Sequence, residues 1–219
     1  MRRLILIGVT FLFIFIWVFA MANASESCSS ILKQAFEKWG RVEDYTCTME
    51  AYNRKGDQED TRVYLYKYMK PGYVYMYVLE GKSRKAKVYY DPHRNMVKGC
   101  KKVLFYICLD FKPTDPKVTS IRGATVPEST MGYIIEHVKE LISKGLSCAV
   151  QDSGDYKVLV LSSSKPFEGG DVTTMKVWMD KALMLPVRWE RYAGGQLVNR
   201  VVLKDVKINT GLTKEDFKP

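Results

Sequence analysis

The sequence predicts an α+β protein in which a strongly curved antiparallel sheet of about ten strands is covered on its concave face by two helices. Three observations carry this expectation. Short segments of alternating polar and apolar residues follow one another with turn residues between them, the pattern of antiparallel strands. Only two stretches, one leading and one past the middle, hold apolar residues at helical spacing. Short turns between successive strands favour a meander, which must curl or close to hide its edges, and helices with one apolar stripe need such a concave surface to cover.

The elements are taken in chain order. Arg2 and Arg3 precede an uncharged apolar run over 4–19, which ends in Met21-Ala22-Asn23-Ala24. A basic start, an apolar middle and a small-residue exit describe a secretory signal peptide over 1–24, cleaved after Ala24, with residues 25–219 as one domain. The alternative is an uncleaved anchor, since the apolar stretch approaches the about 20 residues that span a bilayer. Ile31, Leu32, Ala35, Phe36 and Trp39 then line one face of a helix over 28–39, stopped by Gly40. Strands follow over 45–52, 61–69, 73–79 and 86–90. Residues 96–109 form either one more hairpin or a single strand irregular near Gly99. After a loop broken by Pro113, Pro116 and Pro127, a second helix over 128–144 carries Met131, Ile134, Ile135, Val138, Leu141 and Ile142 on one stripe. Ser129 or Thr130 is its cap and Gly145 its stop. Strands resume over 146–151, 156–161, 173–180, 186–192 and 197–208, the last two joined at Gly194-Gly195, and a short segment over 213–217 closes the chain.

One hairpin holds six of the chain's 14 tyrosines. Tyr64, Tyr66 and Tyr68 alternate with Val63, Leu65 and Lys67; Tyr73, Tyr75 and Tyr77 alternate with Val74, Met76 and Val78. Lys70-Pro71-Gly72 predicts a type II turn between them. A two-residue loop would put both tyrosine rows on one wet face and leave the aliphatic residues facing inward.

The net charge of +10 invites a nucleic-acid reading. Export removes it: Arg2 and Arg3 leave with the signal segment, and the other basic residues are spread from Lys33 to Lys218 without a dense block. An anionic membrane surface remains as a partner, and nucleic acid does not. All five cysteines lie in the exported part, and the odd number leaves at least one thiol unpaired. Cys100 and Cys108 are the candidate disulfide; Cys47 and Cys148 read as buried apolar residues.

Chemistry is sparse. Two histidines and no Cys-x-x-Cys give no metal-site pattern, and no nucleophile elbow, zinc-protease or phosphate-loop motif occurs. His137 reads as a helix-surface residue. The acidic pairs Glu59-Asp60 and Glu215-Asp216 carry no spacing that argues for catalysis. The expectation is a protein that is not an enzyme and uses no cofactor.

Two stretches carry a resemblance. The C-terminal run contains a strand ending at Asp180, then Leu185-Pro186, two strands around Gly195, Asn209-Thr210-Gly211 and Asp216-Phe217. It resembles the closing segment of the LolA/LolB-like periplasmic lipoprotein carriers. The first half, from Asp44-Tyr45-Thr46-Cys47-Thr48 through Lys70-Pro71 and Tyr75-Met76 to Met131-Gly132, resembles exported bacterial proteins grouped as a domain of unknown function. The resemblance implies an incomplete β-barrel with helices as a lid over an apolar cavity that holds acyl chains. In the carriers a basic residue, typically arginine, precedes the proline of the second hairpin; carried over, it is Lys70, a candidate contact to the lid. Candidate lining residues are Leu65, Val74, Met76, Val78, Met175, Val177 and Trp189 from strands, and Phe36 and Ile135 from helices. The expected function is a periplasmic binding or carrier protein for a lipid, a lipoprotein acyl chain or another apolar ligand. The alternative is an envelope sensor or regulatory module that docks a protein partner.

Overall fold

The computed structural model of the chain describes residues 26–219 apart from 103, 168 and 169. The signal-peptide reading of 1–24 lies outside the described residues. Helix α1 (Cys28–Gly40) leads, its first turn capped by Ser27, whose hydroxyl accepts from the Ser30 amide. Six strands follow as consecutive hairpins: β1 (Asp44–Lys55), β2 (Gln58–Met69), β3 (Tyr73–Glu80), β4 (Lys87–Asp91), β5 (Met96–Lys102) and β6 (Tyr106–Phe111). A long loop and a short 3₁₀ turn (Pro127–Ser129) lead to α2 (Met131–Ser143), capped by Thr130. Five more strands complete the chain: β7 (Ser147–Ser153), β8 (Tyr156–Phe167), β9 (Val172–Asp180), β10 (Pro186–Ala193) and β11 (Gln196–Ile208), with a final 3₁₀ turn at Lys214–Phe217.

All eleven strands belong to one antiparallel sheet in the order β6-β5-β4-β3-β2-β1-β11-β10-β9-β8-β7. It is two meanders joined where β1 pairs with β11, and it stays open between β6 and β7. The 96–109 segment is therefore a hairpin. Both helices lie on the concave face, where Ile31, Leu32 and Ala35 of α1 and Met131, Ile134, Ile135, Val138 and Leu141 of α2 are buried. Gly132 sits where the helices meet: a Cβ there would stand 2.5 Å from the Trp39 ring.

The join of the two meanders is locked by Asp44. Its buried carboxylate accepts from the amides of Thr210 (2.6 Å), Gly211 (3.0 Å) and Leu212 (3.2 Å) and from the Thr210 hydroxyl (2.7 Å). Burial raises this carboxyl's pKa, but the hydrogen bonds from Thr210, Gly211 and Leu212 outweigh it and hold the group below its ordinary value.

The tyrosine hairpin departs from the expectation. Lys70-Pro71-Gly72 is a three-residue loop containing a cis Lys70–Pro71 bond, with the Gly72 amide donating to the Met69 carbonyl, so no type II turn forms. An odd loop pairs even positions with even ones: Tyr66 faces Met76 and Tyr68 faces Val74. The tyrosine rows consequently lie on opposite faces. Tyr66 and Tyr68 share the concave face with Val74 and Met76 and are buried there, while Leu65 points outward with Tyr75 and Tyr77 and is 43% exposed. Buried phenols are tolerated because their hydroxyls are partnered. Tyr66 bonds the Ser129 hydroxyl at 3.0 Å, and the Tyr45 hydroxyl accepts from the Met131 amide at 3.3 Å. Tyr45, Tyr66 and Tyr68 stack with ring centroids 5.1–5.7 Å apart, and Trp39 of α1 closes the stack 5.2 Å from Tyr68.

Two disulfides form. Cys100 and Cys108 face each other across β5 and β6 and are bonded. Cys148 is bonded to Cys28, so the reading of Cys148 as a simple buried apolar residue is corrected; these two cysteines are 120 positions apart, and only the docking of α1 against β7 brings them together. Cys47 is the free, buried cysteine, and burial pushes its thiol up to about 12.

Candidate functional site

Of the proposed lining residues, Val74, Met76 and Val78 lie on the concave face of β3, Met175 and Val177 on β9, Trp189 on β10 and Ile135 on α2; all are buried. Phe36 is half-buried against the same cluster, with the Lys139 ammonium 4.9 Å from its ring centre. Leu65 is excluded by its outward orientation. Most of this space is packed: Val74, Met175, Val177, Leu159 and Leu161 are wholly inaccessible. Lys70 stands at the C-terminal end of α1, where its Nζ donates to the Gly40 carbonyl at 2.9 Å and lies 3.8 Å from the Glu43 carboxylate.

The concave face does keep an open space of about 110 Å³ at the end where β1 turns into β2. Met49, Ala51, Met76, Trp189 and Val201 form its apolar floor, and Val118 and Val126 of the long loop roof it. Met76 and Trp189 are thus the two proposed residues that line it. Its rim is polar: Asn53, Asp60, Arg62, Glu128, Arg191 and Asn199. The rim is an ordered network. Asn199 Nδ2 donates to Asn53 Oδ1 at 3.0 Å, Arg191 Nη1 donates to Asn199 Oδ1 at 2.9 Å, and Arg62 lies 2.9 Å from Asp60. Glu128 accepts from the Thr125 amide at 2.8 Å and steadies the loop at the start of the 3₁₀ turn. Tyr64 also lines the space; burial raises its phenol's pKa and the Arg62 guanidinium only partly offsets this, so it stays neutral.

A second, shallower space of about 340 Å³ shares Asn53, Ala124, Glu128, Arg191 and Asn199 with the first and continues outward past Arg122, Tyr133 and His137. Arg122 holds its position by donating to the Arg54 carbonyl at 2.9 Å and pairing with Asp171. His137 stacks on Tyr133 with centroids 5.4 Å apart, and its side chain is 12% exposed. The surface assignment made from sequence is corrected: the α2 face that carries His137 borders this vestibule.

Of the rim residues only Asp60 was weighed from sequence, as half of the acidic pair Glu59-Asp60, although the signal for four of the others is legible afterwards. Asn53 keeps the parity of Met49 and Ala51, Asn199 that of Val201 and Leu203, Arg191 that of Trp189, and Arg62 that of Tyr64 and Tyr66. At the same end of four strands the inward row switches from apolar to polar without changing phase, which is what a cavity mouth requires. What the arrangement offers chemically is a short apolar slot with fixed donors at its mouth. Among the described residues no group of three or more His, Cys, Asp or Glu side chains could hold a metal ion.

Neither a protein-family model nor a curated protein sequence matches the chain. Solved structures do match. MucB, in the MucA/MucB complex from Pseudomonas aeruginosa, is 12% identical with a TM-score of 0.50; the match covers 87% of this chain and 60% of that one, so the chain spans about three fifths of MucB. A DUF1329 family protein from Desulfovibrio piger is 10% identical, covering 87% of this chain and 96% of that one, with a TM-score of 0.45. A LolA superfamily protein from Nitrosomonas europaea is 12% identical, covering 89% of this chain and 99% of that one, with a TM-score of 0.42. The structures to which the chain is similar thus include MucB and members of the LolA superfamily and the DUF1329 family, and what it shares with MucB is the fold.

Proposed function

We propose that the chain is an exported, non-catalytic binding protein of the cell envelope, periplasmic in location, that holds the end of an acyl chain or a comparably small apolar group in the slot under the long loop. The observation that carries this reading is the slot itself, an apolar floor of Met49, Ala51, Met76, Trp189 and Val201 with an ordered polar rim. Two disulfides support an oxidising compartment. Among the described residues no helix is long and apolar enough to cross a membrane. The volume limits the ligand. Sites for drug-sized molecules enclose about 300–1,000 Å³, so a slot of about 110 Å³ takes a chain end rather than a whole lipid. Each buried CH₂ contributes about 0.8 kcal/mol, enough for weak, exchangeable binding. Delipidated protein is expected to take up a fluorescent fatty-acid probe saturably, and Ala51→Trp, which fills the slot, is expected to abolish the uptake. Absence of saturable uptake by the unaltered protein rejects the reading.

A second reading is a sensor or regulatory module that docks an envelope protein partner. It rests on the fold shared with MucB, which has been solved in complex with MucA. Affinity capture from envelope extracts separates the two: a regulator retains one defined protein whatever its lipidation, a carrier retains acylated molecules.

A further inference from the structure

Four of the seven large apolar side chains that stand exposed among the described residues lie on one hairpin: Leu104 (88%) and Phe105 (70%) at the β5–β6 tip, and Ile107 (45%) and Leu109 (56%) along β6. Ile107 and Leu109 are two apart on an edge strand and so share a face, and Leu104 and Phe105 stand at the turn of the same hairpin. An isolated exposed leucine is ordinary on a protein surface, whereas four adjacent large apolar residues on a projecting edge are a patch of the kind that marks an interaction site. The Cys100–Cys108 bond ties the hairpin across its middle, so the tip is held as one unit by a covalent brace.

The surroundings identify the partner's chemistry. Strand direction alternates along the meander, so the β3–β4 turn lies at the same end of the sheet as the β5–β6 tip. That turn exposes Lys82, Arg84 and Lys85; the tip is preceded by exposed Lys101 and Lys102. The acidic Glu80 is the carboxylate that accompanies these five cations on the segments adjoining the two turns, residues 80–86 and 101–105. Asp110, farther along β6, is already matched by Lys98 at 3.0 Å and Arg94 at 3.6 Å. A projecting apolar wedge inside a cationic collar has the two elements that a peripheral membrane contact requires, apolar burial and attraction to anionic head groups.

We propose that the β5–β6 tip, with Leu104 and Phe105 as the inserting residues and Lys82, Arg84, Lys85, Lys101 and Lys102 as the collar, docks the protein on an anionic lipid bilayer. The contact is reversible, because one hairpin and five cations fall far short of a spanning segment. The slot lies at the same end of the sheet, under the long loop, but none of its lining residues belongs to this contact.

The test uses the protein with the N-terminus that the expressing cell leaves on it, and vesicles of phosphatidylcholine with or without phosphatidylglycerol. Phe105→Trp places a fluorophore at the tip. Its emission is expected to shift to the blue and to be quenched by bromine-labelled acyl chains only in vesicles containing phosphatidylglycerol, and less so as salt is raised. A cation near an anionic surface is worth about fivefold in partitioning, so Lys101→Glu with Lys102→Glu is expected to weaken binding at least about 25-fold. Leu104→Ser with Phe105→Ser is expected to weaken it at least about tenfold. These side chains are exposed, and circular dichroism of each variant checks that the fold is retained. Membrane binding that leaves the tip fluorophore unquenched overturns the proposal, since attachment would then run through another part of the chain. So does absence of binding to anionic vesicles, or a tip variant that loses a cross-linked protein partner while keeping its vesicle affinity.

Discussion

Strands β6 and β7 are the two edges of one sheet, and the chain treats them differently. At β7 the edge is polar and tied down. Ser147, Gln151, Asp152 and Ser153 are exposed, Asp152 pairs with Lys157 (2.9 Å) and Lys181 (2.8 Å), and Cys148 is bonded to the first residue of α1. At β6 the disulfide stays within the hairpin and Ile107 and Leu109 are left bare. A bare apolar edge invites unwanted pairing, and proteins ordinarily blunt it with charge, as β7 does. The contrast is that β7 is tied into the fold by a disulfide and ion pairs, whereas the apolar side chains of β6 are left exposed, where the bilayer contact proposed above would use them.

The largest test of that contrast is to cut each bond separately. Closing a loop of 120 residues constrains the unfolded chain far more than closing one of 8; the chain-entropy relation gives about 5 against about 2.5 kcal/mol. Cys28→Ser with Cys148→Ser is therefore expected to lower the denaturation midpoint roughly twice as much as Cys100→Ser with Cys108→Ser, measured by urea unfolding. Equal losses, or the reverse order, would break the comparison.

A test of intermediate size addresses what the edges share. Asp44 joins the two meanders through four hydrogen bonds, and removing a buried, multiply bonded carboxylate costs about 3 kcal/mol. Asp44→Ala is expected to produce that loss without favouring either edge, so hydrogen exchange should speed up in β2 and β10 alike. The pH dependence follows from the depressed carboxyl. Its stabilisation is complete above the ordinary aspartate value of 3.8 and is lost as pH falls through the lower folded value. The difference between the unaltered protein and Asp44→Ala should accordingly shrink only in strong acid.

How much of this was legible beforehand depended on the range of the determining contact. Strand positions, both helices and a curved α+β sheet follow from alternation and helical spacing, which are local; that the sheet stays open rather than closing was implied only by the resemblance to the LolA-like carriers. The face assignment of the tyrosine hairpin hung on whether its loop had two residues or three, and one residue reverses every side chain that follows. The mistake sent Leu65 to the wrong side and kept Tyr66 and Tyr68 out of the core. The Cys28–Cys148 bond was illegible because nothing near either cysteine announces a partner 120 positions away. The slot was half legible: Met76 and Trp189 came from the apolar row, whereas Asn53, Arg62, Arg191 and Asn199 sit in that row's polar continuation and were passed over.

The smallest effect sharpens the β7 side. Helix α1 is held at two points, to β7 by the disulfide at its first residue and, away from β7, by Trp39 near its last, which lies against Gly132 of α2. Gly132→Ala places a methyl 2.5 Å from the Trp39 ring, and overpacking of this kind costs about 1–3 kcal/mol, partly offset by the better helix propensity of alanine. A net loss of about 1–2 kcal/mol is expected in urea unfolding. The informative measurement is its coupling to the disulfide. With the Cys28–Cys148 bond intact, α1 cannot leave the sheet to relieve the clash; with both cysteines replaced by serine it can shift, so Gly132→Ala should cost less in that background. Trp39 also closes the tyrosine stack, 5.2 Å from Tyr68, so its displacement should appear as a change in near-ultraviolet circular dichroism in the doubly altered protein. Strict additivity, with an unchanged aromatic signal, would mean that the two attachments of α1 act independently and that the disulfide secures only the edge of β7.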